Sequence, residues 1–381
     1  MSIYDLQTPA ALVDEARMMR NVRQMKHKIV GLGAALRPHI KTTKCNAITN
    51  LLLQHGACGV TVSTMKEAEE TFKAGVSDIL YAVCIAPNKL SRAYSLILEG
   101  CDLKLLTDSV AGARAIAEFG VRNNCTMNVL IEIDTDDHRS GVKPDAELLL
   151  DVARALQEES TEAGGARVAG VMTHAGESYA LNNEAELVAF AEQERTRCVR
   201  AAERLVAAGF ECPMVSIGST PTALSYAKLG GVTEVRAGVY VFFDLVMHNV
   251  GVCTLDDIAL SVLTSVIGHQ PEKGWVIVDA GWMALSRDRG THEQLKDFGY
   301  GQVCDVNCVP IEGAIVEGAN QEHGIVKVER SVDVVREYPV GTLLRVLPNH
   351  ACATAAQFNS YSVIGSNGSD VIANWETYGG W

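Results

Sequence analysis

The sequence predicts an α/β architecture, a (β/α)8 TIM barrel followed by a mostly β C-terminal domain, and three observations carry that expectation. Between residue 35 and about residue 240, short β-branched runs alternate with longer segments of helical period. Eight such runs occur, which favours a closed barrel over an open doubly wound sheet. After Asn249 the texture changes to strand-like runs with few convincing helices between them, and a chain of 381 residues is long enough for a second domain.

The elements follow in order. An early strand at 10–13 precedes the first barrel unit and is assigned to the β domain. The barrel strands are expected at 35–41, 59–63, 78–83, 103–107, 127–133, 168–173, 214–217 and 234–236. Between them, Thr64 with Glu67 reads as a capping box, and Asn183 with Glu186 opens a long amphipathic helix that closes at Gly209. In the second domain the strand-like runs are 258–267, 275–279, 324–328, 343–347 and 361–364. The expected division is therefore 14–249 for the barrel, with 1–13 and 250–381 forming the β domain.

Composition narrows the function classes. With 48% hydrophobic and 21% charged residues the chain can bury a large core and is not a disordered sequence. Its 33 basic against 46 acidic residues give a net charge of −13, a field that disfavours nucleic acid or an anionic membrane as partner and leaves a small molecule. The N-terminus lacks a basic segment followed by an apolar one, and the apolar stretch 239–247 is broken by Asp244, so a cytoplasmic protein without a membrane span is expected. The 11 cysteines read as reduced small hydrophobes, with Cys304 and Cys308 a structural pair.

In a barrel, catalytic groups collect where strands end, and phosphate is held after the seventh and eighth strands. Gly218, Ser219 and Thr220 follow the seventh run, and Gly238 to Tyr240 follow the eighth; their N–H and hydroxyl donors suit a phosphate, although each tripeptide alone could be a plain turn. In the first run a period of two puts Arg37, His39 and Lys41 on one face, where neighbouring cations favour the neutral Lys41 amine that attacks a carbonyl. The alternative is a solvated polar stripe. A phosphate-bearing aldehyde cofactor needs both the lysine and the cradle. Arg139 after the fifth run and His174 at the end of the sixth lie on the same rim, the first equally readable as a loop residue and the second as a buried histidine. In the β domain His350 and Cys352, two apart on an extended segment, share a face and could bind one zinc ion, with a third ligand from elsewhere.

Taken together, Arg37-Pro-His-Ile-Lys41, Arg139-Ser-Gly-Val142, Gly218-Ser-Thr220, Arg236-Ala-Gly-Val-Tyr240, Asp279-Ala-Gly281, Gln321-Glu-His-Gly324 and His350-Ala-Cys352 resemble the pyridoxal-phosphate enzymes of the alanine racemase fold (fold-type III). Within that family the chain is similar to the branch holding D-serine dehydratase, D-threonine aldolase and D-threo-3-hydroxyaspartate dehydratase, and the likeness runs from Thr8 to beyond Tyr361. The resemblance implies Lys41 as the Schiff-base lysine and Arg139 near the cofactor's ring oxygen. It implies that Gly218, Ser219, Thr220, Gly238 and Tyr240 hold the phosphate, with His174, Ser178 and Tyr179 nearby. It also implies zinc, or manganese or another divalent ion, on His350 and Cys352, and a homodimer.

Where the aldolases have His-x-Asp this chain has His350-Ala-Cys352, and a thiolate favours zinc, hence a dehydratase. The racemases' second-base tyrosine has no counterpart after Asp279, where the chain reads Ala-Gly-Trp-Met-Ala. The implied reaction is loss of water from a D-3-hydroxy amino acid to give a 2-oxo acid and ammonia. Lys41 would remove the α-proton and zinc would take up the leaving hydroxide. Arg287 and Arg289 are candidates for a second substrate carboxylate, with Gln321 and His323 as further substrate candidates. Three alternatives remain: a retro-aldol enzyme on the same substrates, a non-catalytic pyridoxal-phosphate carrier, and a metal-independent barrel enzyme acting on a sugar phosphate.

Overall fold

A computed structural model of the chain describes residues 1–381 apart from 138, 159 and 330. It contains two compact units. One comprises 24–41, 48–238 and 380–381; the other comprises 1–23, 42–47 and 239–379.

The first unit is a parallel barrel. Its strands lie in the spatial order Ala35–Pro38, Glu234–Ala237, Met214–Ile217, Gly165–Met172, Thr126–Glu132, Asp102–Thr107, Asp78–Cys84 and Val60–Val62. A bridge between His39 and Thr61 brings the two end strands together, so the ring is nearly closed. All eight expected strands are present, shifted by a few residues at their ends. Leu80, Leu106, Leu130 and Met172, one from each of four adjacent strands, pack into one buried cluster. Truncating such a residue to alanine typically costs about 2–5 kcal/mol.

Helix boundaries follow the expected chemistry. The Thr64 hydroxyl accepts from Glu67 N at 3.0 Å, while the Glu67 carboxylate reaches back to Ser63 N rather than to Thr64 N. The Asn183 side chain accepts from Ala185 N and Glu186 N and opens Glu184–Ala207, and Gly209 beyond it takes a φ of +90°.

One barrel expectation is corrected. The first strand ends at Pro38 instead of continuing to Lys41, because the chain turns into a short 3-10 helix, Ile40–Thr42. Lys41 therefore sits on a turn beyond the strand's C-terminal end. The supposed one-face stripe is broken too. Arg37 pairs with Glu234 and Asp78, the first residues of their strands, and so belongs to the opposite end of the barrel from Lys41.

The second unit is a nine-stranded sheet in which Ala10–Asp14 lies between Leu260–Gln270, antiparallel, and Ser360–Ile364, parallel. The early strand thus belongs to the β sheet. Three strands had no counterpart in the sequence reading: Gln302–Cys304, Pro310–Ala319 and Val371–Glu376. The first is only three residues long, the second carries Pro310, Gly313, Gly318 and a bulge, and the third is an edge strand whose residues alternate between exposed and half-buried.

This unit also takes in residues on the far side of the expected divisions at 14 and 249. Arg17 Nη1 donates to the carbonyls of Leu255 and Ile258, Asn21 Nδ2 to that of Asp257, and Leu245 N and Val246 N to those of Pro348 and Asn349. These bonds hold the start of the first long helix, Glu15–Gly31, and the helix Leu245–Val250 to the β sheet. Among the described residues no helix is long and apolar enough to cross a membrane. None of the 11 cysteines is in a disulfide; Cys58 is exposed, against expectation, while Cys304 and Cys308 are buried.

Candidate functional site

The C-terminal rim of the barrel carries a group of cations and imidazoles. Lys41 N donates to His39 Nδ1 at 3.4 Å, so that nitrogen is an acceptor and the proton sits on Nε2, which donates to Ser63 Oγ at 3.2 Å. His174 Nδ1 lies 3.1 Å from the Gly218 carbonyl oxygen, which fixes the proton on Nδ1. Burial first, then the charges of Lys41 and Arg236, hold both imidazoles well below the ordinary histidine range, His174 at about 3. Both rings are therefore neutral at pH 7. Arg236 is buried; its Nε donates to Ser216 Oγ at 2.8 Å and its Nη2 to the Thr173 carbonyl.

The segment after the seventh strand is built around Gly218. Its φ is +129°, and a Cβ there would stand 2.3 Å from the Arg236 carbonyl oxygen, so only glycine fits. The Ser219 hydroxyl is engaged in a helix cap: it accepts from Thr222 N and lies 2.8 Å from Ser178 Oγ. Ser178 in turn donates to the Ala175 carbonyl. Thr220 differs, because its Oγ1 is buried with no hydrogen-bond partner among the described residues. Tyr179 packs its ring 6.1 Å from that of His174. Gly238 directly follows the last barrel strand. In the β unit's own leading segment the Tyr240 hydroxyl is likewise buried without a partner, and burial pushes its phenol up. The orphaned buried hydroxyl of Thr220 calls for a ligand, and a phosphate ester with its acceptor oxygens fits it.

Arg139 is half-exposed, 3.4 Å from Glu132 Oε1. Glu132 also accepts from Ser140 Oγ and Cys84 Sγ. Cys84, Asp108 and Glu132 are the one group of three metal-competent residues gathered within 4.8 Å among the described residues. Their oxygens are already engaged, since Asp108 accepts from Gly141 N as well, and burial beside the two carboxylates raises the Cys84 thiol. The group is a hydrogen-bonded knot that anchors the Arg139 loop.

In the β unit, His350 and Cys352 do not lie on an extended strand as expected. His350 is the N-cap of the helix Ala351–Ala355, with extended backbone, and Cys352 is in its first turn. The arrangement still places them together: burial would lower His350, but Cys352 and Asp288 raise it to about 11. His350 Nδ1 is 2.6 Å from Asp288 Oδ2, and Thr42 Oγ1 is 3.2 Å from Cys352 Sγ. Asp244 is buried and accepts from Ala351 N at 2.8 Å and Met247 N at 2.9 Å, fixing the backbone between the two candidate ligands. An imidazole nitrogen with a thiolate is a donor set suited to zinc, and the residues present fit it.

The remaining candidates stand apart. Arg289 is 2.7 Å from Asp297 and lies over the Tyr300 ring, whereas the exposed Arg287 stacks over Trp282. Gln321 and His323 are exposed and act through their backbone: the Gln321 carbonyl accepts from Met283 N, and that of His323 from Asn320 N. The sequence reading missed roles for Arg236, Asp244 and Asp288. Arg236 was visible as the sole cation in the eighth strand; Asp244 could be seen only as a break in an apolar run; Asp288 gave no signal beyond lying between two arginines.

The alanine racemase N-terminal domain model matches residues 13–246, and the serine dehydratase domain model matches residues 259–364. D-threo-3-hydroxyaspartate dehydratase of Delftia sp. strain HT23 is 54% identical over 384 residues, spanning 100% of this chain and 99% of that protein. Its solved structure superposes with a TM-score of 0.97 over 100% of both chains, and it has also been solved as a cysteine-to-alanine variant in a metal-free form. D-serine dehydratase of Dictyostelium discoideum is 30% identical over 398 residues, 100% of this chain and 98% of that protein. With both domains matched and these relatives aligned from end to end, the chain belongs to the alanine racemase-like, fold-type III pyridoxal-phosphate enzymes, in the branch that holds the D-threo-3-hydroxyaspartate and D-serine dehydratases.

Proposed function

We propose that the protein is a carbon–oxygen lyase, a pyridoxal-phosphate- and zinc-dependent dehydratase that removes water from a D-3-hydroxy amino acid to give a 2-oxo acid and ammonia. The observation that carries this reading is the barrel rim, where Lys41 and Arg236 stand among two neutral imidazoles and an unpartnered buried hydroxyl at Thr220. An anionic ligand bearing a phosphate answers all of these at once. The identities of the relatives favour dehydration over other chemistry on such a cofactor.

When bound, pyridoxal phosphate supplies an electron sink for the charge left on Cα. Lys41 carries the cofactor and, once freed, its amine takes the α-proton. Within the barrel unit Thr220 Oγ1 and Gly238 hold the phosphate, while Gly218, whose N–H donates to Glu194, shapes the wall with His174, Ser178, Ser219 and Tyr179. Arg139 approaches the cofactor ring, restrained by Glu132. His350 and Cys352 hold zinc, which supplies a Lewis acid for the β-hydroxyl. For a second substrate carboxylate Arg287 and Arg289 both stand as candidates: Arg289 pairs with Asp297 through Nη2, but its Nε is buried without a partner.

The test is an assay of ammonia and 2-oxo acid from D-serine, D-threonine and both D-3-hydroxyaspartate diastereomers, before and after chelation. The expected result is equimolar ammonia and 2-oxo acid, lost on chelation and restored by zinc. Release of glycine and an aldehyde would turn the reading to an aldolase, and metal-independent turnover would remove zinc from it.

A further inference from the structure

We propose that Asp288 is the positioning residue of the metal centre: its carboxylate holds the Nδ1 edge of His350 and commits Nε2 to the metal. The inference rests on the zinc-dependent reading given above.

His350 Nδ1 and Asp288 Oδ2 are 2.6 Å apart, a short bond to a carboxylate. A ring that donates Nδ1–H to a carboxylate has its tautomer and its plane fixed, and its remaining lone pair is on Nε2. His350 is an N-cap whose side chain makes no capping bond, and of its two side-chain partners Cys352 is the other candidate ligand, which leaves Asp288 as the one that can orient the ring from behind. Asp244, the other carboxylate nearby, bonds the N–H groups of Ala351 and Met247 and so sets the backbone between the ligands rather than the ring.

The segment bearing Asp288 is built to hold its place. It follows the short helix Trp282–Leu285 through Ser286, whose φ is +73°, and Asp288 N donates to the Ser286 hydroxyl at 3.0 Å. The Leu285 carbonyl accepts from Thr354 Oγ1 at 3.0 Å, which ties the segment to the helix that carries Cys352. One brace therefore serves both metal-binding side chains, and the carboxylate aligns the imidazole against it. The Asp288 side chain is 41% exposed, so replacing it leaves no buried charge behind.

The experiment measures zinc affinity of the cofactor-loaded enzyme by competition with a chromophoric chelator, for the wild type, Asp288→Ala and Asp288→Asn. Asp288→Ala is expected to bind zinc about 10–100-fold more weakly, as loss of a partner behind a metal ligand commonly does. Asp288→Asn keeps an acceptor for Nδ1–H and should recover most of that loss. The cofactor's visible absorption and the melting of the metal-free protein should stay as in the wild type. Wild-type zinc affinity in Asp288→Ala overturns the inference alone. So does an equal loss beyond roughly 10³-fold in both variants, a larger effect than orientation supplies, because Asp288 would then be a ligand itself. A wild-type protein that binds no zinc overturns this inference and the zinc-dependent reading together.

Discussion

At the N-terminal ends of the barrel strands the buried cations meet carboxylates. Arg37 Nε donates to Glu234 Oε2 at 2.7 Å, its Nη1 and Nη2 donate to the two oxygens of Asp78 at 2.8 and 3.0 Å, and Lys104 Nζ bridges Asp78 and Asp102 at 2.5 and 2.6 Å. Burial alone would raise Asp78, yet the bonds from Arg37 and Lys104 hold it below the usual carboxylate range. At the C-terminal ends Arg236 meets a hydroxyl and a carbonyl, and the histidines near it stay neutral. The same strands thus carry a floor of direct ion pairs and a rim where Arg236 reaches no carboxylate directly, with Glu234 and Glu194 acting on it only at longer range. Direct pairing makes the floor a structural element; its lack at Arg236 leaves attraction available for an anionic ligand.

If that contrast is right, substitutions at the two ends should fail in different measurements. Lys41→Ala is expected to lower turnover by at least about 10²–10⁴-fold, the contribution of a positioned base, and to abolish the borohydride-sensitive visible band. Its melting temperature without cofactor should barely move. Near-normal initial rates in this variant would end the assignment of Lys41.

Arg37→Ala is expected to do the reverse. It leaves Glu234, only 4% exposed, as a buried charge without its partner, a change that commonly costs about 3–5 kcal/mol. Urea unfolding reads that loss directly, while the substrate preference of the fraction that folds should be unchanged. A loss under about 1 kcal/mol, within the range of a solvated surface pair, would mean that the floor is not held by its charges.

Thr220→Val sharpens the comparison at one atom. The substitution removes a buried hydroxyl that has no partner, so the protein without cofactor should be no less stable. Cofactor affinity should fall by about 1.5–3 kcal/mol, the worth of a hydrogen bond to a charged group. Unchanged affinity in a fluorescence titration would remove Thr220 from the phosphate site.

How much of this the sequence revealed follows from the range of the forces involved. The eight barrel strands and the early strand of the β sheet are encoded in local apolar runs with turn residues between them, and such patterns are legible along the chain. The positions of Lys41, Gly218 and Thr220 just beyond strand ends are legible as well, since barrel geometry puts the ends of strands at the rim. Arg37 was misplaced because a period of two says which side chains share a face, not where along the strand a partner waits. Its partners are 41 and 197 residues away. The helix that carries Cys352 leaves no helical signal in the sequence because it has only five residues, and its start is held by Asp244, more than a hundred positions earlier.

The last prediction concerns proton linkage at the rim. An unfolded histidine takes up a proton near pH 6.5, whereas folded His174 does so only at about 3, because burial and then Lys41 and Arg236 oppose it. Between those two values the unfolded chain binds more protons, so stability is present above 6.5 and is lost as pH falls through the window. The slope from one such group is at most about 1.4 kcal/mol per pH unit, and His39, lowered by the same causes, adds to it. His174→Asn keeps a donor for the Gly218 carbonyl but has nothing to titrate. Urea midpoints measured without cofactor from about pH 7 to about pH 4 should therefore fall less steeply in His174→Asn than in the wild type. Parallel curves would mean that His174 already carries its proton in the folded state, and that the rim holds one more cation than the contrast with the floor allows.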